Sequence, residues 1–250
     1  MTMTQAEKEL YLLKWNRFQQ RYERIYTTKL RAALKEQIQQ QISLGYITSA
    51  PIYDVLISLY RTVGPLWAHA TDVNIRRQQA KAQQPMGFSE RIVELMRQYY
   101  GIDLFNDAET ITEYTRTVMQ RVFSEAAVTG WSIDEIVRRL EADTELGAMR
   151  ARRIARTETV TAANAASIIN ATETGVPMRK IWLAVNDKRT RHSHRNVDEI
   201  TIPIADAFNV GGTQMTQPGV RTQPNGLEVP AGEVVNCRCT LGYEVIKQPR

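Results

Sequence analysis

Only two cysteines and three histidines occur among the 250 residues of this chain. Two cysteines cannot build a disulfide framework, so the expectation is a protein made and folded in a reducing cytoplasm. No stretch approaches the ~20 consecutive apolar residues needed to span a bilayer, and no membrane partner is expected. The opening Met1-Thr-Met-Thr-Gln-Ala-Glu7 lacks an apolar core behind a basic cluster, which argues against a secretory signal. A Gly-rich phosphate loop and a His-Glu-x-x-His pair are both missing, so neither of those chemistries is expected. A strong charge of one sign is missing too: 32 Lys+Arg against 27 Asp+Glu leave a net +5, which permits an acidic partner without requiring one. With 43% apolar and 24% charged residues, the chain is too apolar to be disordered throughout and long enough for one large or two smaller cores.

Proline is scarce where helices are expected. The first 150 residues hold 3 of the 9 prolines, and the other 6 lie in the stretch that begins at Gly175, together with seven of the 13 glycines. Pro and Gly punctuate turns and strand-rich structure. The sequence therefore predicts an α+β protein: a long-helix N-terminal region followed by a small, loop-rich α+β C-terminal domain. Charge is uneven as well. Residues 101–150 carry 5 basic and 10 acidic groups, net −5, between blocks 51–100 at +2 and 151–200 at +4; residues 1–50 carry +4 and 201–250 are balanced.

Residues 5–44 read as one helix, with apolar positions Tyr11, Trp15, Phe18, Tyr22, Ile25, Leu30, Leu34, Ile38 and Ile42 at spacings of three to five. Such a helix spans ~60 Å. Its aromatic stripe packs on neighbouring helices in the common reading, or docks on another chain in the sharper one. A second helix is expected over 51–79, kinked or split at Gly64-Pro65. Residues 80–87 read as a polar linker. A short helix through Phe88, Ile92, Leu95, Met96 and Tyr99 is expected to stop at Gly101. Another runs from about Asp107 to Thr129, burying Ile111, Tyr114, Val118, Val122 and Phe123. Ser132-x-x-Glu135 is a capping box for a helix reaching Leu140. An Ala-rich helix covers 145–172, and strands cover 180–185 and 240–246, with about fifty residues of turns and short extended pieces between them.

The chemistry-bearing residues cluster in the C-terminal region. Asp187, Arg189, Arg191, His192 and His194 stand within eight positions, and Asn236-Cys237-Arg238-Cys239 follows more than forty residues later. Thiolate and imidazole are favoured zinc ligands. Cys237 and Cys239, two apart on a strand, face the same side. A structural zinc held by His194, Cys237 and Cys239, with Asp187 or His192 as a fourth ligand, is one reading; two buried thiols beside a structural histidine is the other. A Cys/His pair can serve as nucleophile and base, but no complete catalytic constellation is visible, and no enzyme is expected. Arg150, Arg152, Arg153 and Arg156 lie within seven helical positions. They suit non-specific contact with the phosphates of double-stranded DNA, or pairing with the acidic segment that precedes them.

The string Arg152-Arg-Ile-Ala-Arg-Thr-Glu-Thr159, then Trp182, Asp187-Lys-Arg-Thr-Arg191 with Ser193-His194, Phe208, Pro218-Gly219 and Asn236-Cys-Arg-Cys239 resembles the Mu F-like phage head morphogenesis family, the minor capsid proteins. The resemblance covers roughly 125–246, with Gly130-x-Ser132-x-x-Glu135-Ile136 as its helical lead-in. It implies two regions, 1–124 for portal and capsid docking and 125–250 as the head morphogenesis domain. It further implies a virion protein of few copies, inside the capsid at the portal vertex, whose partners are the portal protein, the major capsid or scaffolding protein, and non-specific double-stranded DNA during packaging or delivery. The family domain is distantly similar in fold to ADP-ribosyltransferases, which implies a small α+β unit; no activity is carried over, and no fused toxin domain is expected. In this reading Arg156, Glu158, Trp182, Asp187, Arg189, Arg191, His194, Asn236 and Arg238 hold loops together rather than turn over substrate. Asp198-Glu199 stands where the family often has Asp-Gly, which predicts a different turn. The rival readings are a DNA-binding or DNA-processing virion factor that uses the Arg clusters, and a cryptic ADP-ribosyltransferase-like enzyme.

Overall fold

Five helices fill the first two thirds of the chain, and their ends follow local chemistry. The computed structural model describes residues 3–79, 88–143 and 145–246. Helix α1 (Gln5–Leu44) opens on a reciprocal capping box not singled out from the sequence: the Glu7 amide donates to Thr4 Oγ1 at 3.3 Å, and the Thr4 amide donates to Glu7 Oε2 at 2.8 Å. At the box that was expected, only the serine half forms. Ser132 caps α4 (Ile133–Ala142) by accepting from the Glu135 amide at 3.2 Å, while the Glu135 carboxylate turns to Arg138 and Arg139.

Neither the split considered at Gly64-Pro65 nor the stop expected at Gly101 divides a helix. Helix α2 (Ala50–Gln78) runs through Gly64-Pro65, and α3 (Phe88–Thr129) runs through Gly101 as one element of 42 residues. An interior proline costs ~3 kcal/mol and an interior glycine ~1 kcal/mol. Burial around them is larger: Leu56, Leu59, Val63 and Ala68 are fully buried on α2, each large side chain contributing ~1.5–3 kcal/mol. The linker expected at 80–87 and the side chain of Tyr99 lie outside the described residues. Helix α5 (Ala148–Glu173) completes the helical set, and among the described residues no helix is long and apolar enough to cross a membrane.

The chain divides into two compact units, each discontinuous in sequence. The helical unit comprises Glu23–Ser58 and Tyr99–Ala155. Its core joins Ile38, Ile47, Val118, Met119, Val122, Leu140 and Leu146, with Phe123, Trp131 and Ile136 at the margin. Ile25, Ile42 and Tyr114, expected in apolar stripes, are exposed. Tyr26 replaces Ile25 on the inner face and donates its hydroxyl to Ser58 O at 2.8 Å. Tyr114 instead lies under the Arg150 guanidinium, 4.8 Å from ring centre to Cζ.

The second unit comprises Met1–Tyr22, Leu59–Gln98 and Arg156–Arg250. Among the described residues it contains every strand: β1 (Met178–Leu183), β2 (Thr201–Pro203), β3 (Phe208–Val210), β4 (Thr213–Met215) and β5 (Thr240–Val245), with short helices α6 (His192–Asn196) and α7 (Ala231–Val234) between them. An antiparallel sheet in the order β2-β1-β5 pairs Lys180 with Ile202 on one side and with Tyr243 on the other. Strands β3 and β4 form a hairpin whose turn is Gly211-Gly212, both at positive φ (59° and 89°), the pattern that a tight two-residue turn demands.

Strand β5 is buried along its whole length although it stands at a sheet edge. Side chains from three helices satisfy that edge. Asn164 Oδ1 accepts from the Leu241 amide at 3.2 Å, and Tyr11 donates to Leu241 O at 2.8 Å. The Gln78 amide donates to Tyr243 O at 2.9 Å and accepts from the Val245 amide at 2.8 Å, acting as a missing strand. This closes an edge that would otherwise template pairing with another chain.

Candidate functional site

The motif residues come together around the C-terminal end of β1, the loop leading into α6, and the segment between α7 and β5. Positive φ at Asn186 (56°) and Asn236 (61°) bends the backbone at the start of each loop, a conformation that asparagine tolerates better than most residues. Asp187 then accepts a two-pronged contact from Arg238, from Nη1 at 2.6 Å and Nη2 at 2.5 Å, and takes the Arg189 amide at 2.8 Å. These contacts, Arg238 foremost, hold the Asp187 carboxyl well below the usual carboxylate range. Arg195 donates to Asp187 O at 2.7 Å, and Arg191 donates to Val235 O. The Asn236 amide donates to Thr157 Oγ1 at 3.0 Å while its side-chain oxygen accepts from Arg156 at 3.3 Å. The two loops are therefore clamped to each other by a fork-shaped, charge-assisted pair, and to α5 by single hydrogen bonds through Asn236.

His194 sits behind this clamp, 1% exposed. The Trp182 ring meets the imidazole edge-on at 5.5 Å and Phe208 at 5.3 Å. Its Nδ1 lies 3.3 Å from Cys239 Sγ and 3.6 Å from Cys237 Sγ. Its Nε2 lies 2.9 Å from Glu233 Oε2, which also accepts from Ser193 Oγ at 2.8 Å. Both thiols are free and buried. The hydrogen bond from Cys239 draws the Cys237 thiol well below its usual pKa against the effect of burial, with His194 adding to it, and the same contact pushes Cys239 up. Burial opposes charge on His194, but the hydrogen bond and charge of Cys237 outweigh it and raise the imidazole's pKa. The buried Trp182 indole N–H has no nitrogen or oxygen acceptor among the described residues; its action on Cys239 is that of a donor favouring the thiolate.

Several expected placements change. His192 is exposed and does not join His194. Both oxygens of Asp187 are taken by Arg238, so neither residue serves as a fourth metal ligand. Arg150 is 4% exposed, donates to Thr115 Oγ1 at 2.8 Å and Ile111 O at 2.6 Å, and is lowered by burial to about 10. It has no surface to offer a phosphate. Arg152 pairs with Glu23 at 2.6 Å rather than with the acidic segment. Glu158 does not face the loops: it is buried, paired with Arg221 and bonded by the Tyr60 hydroxyl at 3.1 Å, and burial raises it to about 7. Glu199 adopts φ 60°, the left-handed conformation that glycine takes most easily, and its carboxylate pairs with Lys8 at 2.8 Å. The replacement of glycine there needs no different turn.

The roles of three residues were missed from the sequence. Asn164 is fully buried and donates to Val160 O at 3.0 Å and Cys239 O at 3.2 Å while accepting from Thr240 Oγ1 at 3.1 Å. Thr157 and Glu233 are the other two. The available signal was Asn164 itself, a lone amide inside the run Ala162-Ala-Asn-Ala-Ala166, where a polar side chain facing a core must find partners. Gly219 of the Pro218-Gly219 motif is explained by proximity: at φ 85°, a Cβ there would sit 2.9 Å from the Thr161 Cα on α5.

The family model described as "Phage Mu protein F like protein" matches residues 117–242, half of the chain and all of the loops just described. The chain belongs to this family. As a Mu F-like protein it is a phage head morphogenesis protein. Two curated proteins extend the comparison. The minor head protein GP7 of Bacillus phage SPP1 is 24% identical over 241 residues, covering 96% of this chain and 68% of that protein. The NAD(+)--arginine ADP-ribosyltransferase EFV of Enterococcus faecalis is 35% identical over 117 residues, covering 44% of this chain. The Mu F-like chain spans only 22% of that enzyme's length. No solved structure matches.

Proposed function

We propose that this Mu F-like chain is a minor head protein of the virion that associates with the portal vertex inside the procapsid and supports genome packaging or delivery. The observation that carries this reading is the alignment with a phage minor head protein along 96% of the chain, helices included. In this proposal residues 1–124 dock on the portal and neighbouring capsid or scaffolding subunits, and 125–250 form the head morphogenesis domain. Leu10 and Leu13, one turn apart on α1, are both about half exposed, at 52% and 47%, and offer an apolar contact. The test is co-expression with the portal protein encoded by the same phage. A stable complex is expected, weakened by Leu10→Glu with Leu13→Glu; no complex over a range of salt concentrations would overturn the portal reading.

The motif residues act as clamps in this reading, not as catalysts. His194, Cys237 and Cys239 are each at most 3% exposed and Glu158 is engaged by Arg221 and Tyr60, which supports a structural part for these four side chains. Similarity to an arginine ADP-ribosyltransferase favours the enzymatic alternative. Incubation with labelled NAD and arginine-rich acceptor protein decides between them, and no transfer of label is expected. Contact with DNA would rest on Arg152, Arg153 and Arg156 without Arg150, and would weaken steeply with salt.

A further inference from the structure

The site around His194 holds more polar capacity than a loop clamp requires. Three different donors converge there: the imidazole Nδ1 and two thiols, all within 4.8 Å of one another and all buried. The Nδ1–Sγ separations are 3.3 and 3.6 Å. A tetrahedral zinc with Zn–N ~2.05 Å and Zn–S ~2.3 Å places nitrogen and sulfur ~3.6 Å apart. Both nitrogen–sulfur separations thus already stand close to the edge length of a zinc tetrahedron.

Their surroundings match as well. Nε2 of His194, the nitrogen turned away from the thiols, meets the Glu233 carboxylate at 2.9 Å. A carboxylate there holds the proton on Nε2 and leaves the Nδ1 lone pair facing the sulfurs, the arrangement found behind metal-bound histidines. Ser193 Oγ donates to the same Glu233 oxygen and fixes it. The Cys239 amide donates to Cys237 Sγ at 3.4 Å. Arg238, between the two cysteines, is locked onto Asp187, which fixes the backbone from which both thiols project.

We propose that His194 Nδ1, Cys237 Sγ and Cys239 Sγ supply three ligands to one zinc ion. On binding, the cluster releases two protons to solvent, each sulfur forms a bond to the metal as a thiolate, and the imidazole keeps a single proton, on Nε2. Two thiolates cancel the two positive charges, so the buried site carries no net charge and avoids the large cost of an uncompensated ion in the interior. Zinc would then tie α6 to the segment entering β5. This inference does not depend on the portal role and is tested apart from it.

The experiment uses the full chain, purified without a polyhistidine tag under reducing conditions, and reads metal content by mass spectrometry. About one zinc per chain is expected, together with a fall in melting temperature on chelation, because binding free energy is folding free energy. Cobalt substitution should give the intense visible bands of a tetrahedral ion and a thiolate charge-transfer band, both lost in Cys239→Ala. Should Cys239→Ala fail to fold, Glu233→Gln keeps all three ligands and is expected to weaken zinc affinity by about 10–100-fold against a competing chelator. Protein that stays metal-free after incubation with zinc, melts at the same temperature with chelator, or binds cobalt without thiolate charge transfer would overturn the assignment.

Discussion

The helical unit and the sheet-bearing unit solve the same problem with different forces. In the first, Ile38, Val118, Met119, Val122 and Leu140 bury a continuous apolar stripe, and the contacts are interchangeable in kind: another apolar residue of similar size would serve. The second buries apolar side chains too, Trp15, Ile75, Trp182 and Phe208 among them, but its short strands and long loops are also positioned by directional bonds. Asn164 alone joins α5 to three consecutive residues, Cys239, Thr240 and Leu241. The difference teaches where this protein is fragile. Apolar packing degrades gradually, whereas a buried polar knot loses several bonds when one member goes.

The largest effect should therefore come from the polar knot. Asn164→Ala removes the partner of the Cys239 carbonyl and the Leu241 amide in a fully buried place. A loss of about 3–5 kcal/mol in urea unfolding is expected from two or more stranded groups at ~1–3 kcal/mol each. Leu140→Ala empties part of the helical core, where Leu140 is fully buried; a smaller loss of about 2–4 kcal/mol is expected. If Leu140→Ala costs more than Asn164→Ala, the contrast between the units is wrong. The smallest effect belongs to the outer clamp. Asp187→Asn keeps an acceptor for the Arg189 amide but loses the charge that Arg238 grips, and because the Asp187 side chain is 38% exposed the expected loss is about 1 kcal/mol. Its pH dependence sharpens the assignment. A carboxyl depressed in the folded state stabilises above its unfolded pKa and loses that contribution as pH falls through its folded value. The difference between native protein and Asp187→Asn should narrow below about pH 4. A constant difference down to acid would show that the Arg238 fork does not carry it.

Much of the helical unit was legible because its signals are local. Apolar spacing on 5–44 and 107–129 marked Leu30, Leu34, Ile38, Val118 and Val122, all of them buried, and Ser132 marked the start of α4. The errors fell where neighbours in space overrule neighbours in sequence. Tyr114 fits an apolar stripe yet lies outside, because Arg150 takes the inner position with the Thr115 hydroxyl and the Ile111 carbonyl as partners. In the sheet-bearing unit the residue types were legible and their pairings were not. Asp187 and Arg238 stand 51 positions apart, beyond the reach of any periodicity. Glu233, the shared acceptor of Ser193 and His194, lies in a four-residue helix and carries no signal of its own.

The sequence by itself determined the α+β class, the stretches that can coil or extend, and the family. Those depend on interactions within a turn or two of helix and on motifs read in order. Tertiary structure alone decided that α2 passes through Gly64-Pro65 and α3 through Gly101, that Arg150 is internal, and that His194 meets Cys237 and Cys239 while His192 does not. Local preferences of ~1–3 kcal/mol are outweighed once several side chains are buried together, and which donor faces which acceptor is settled only when loops far apart in sequence close on one another.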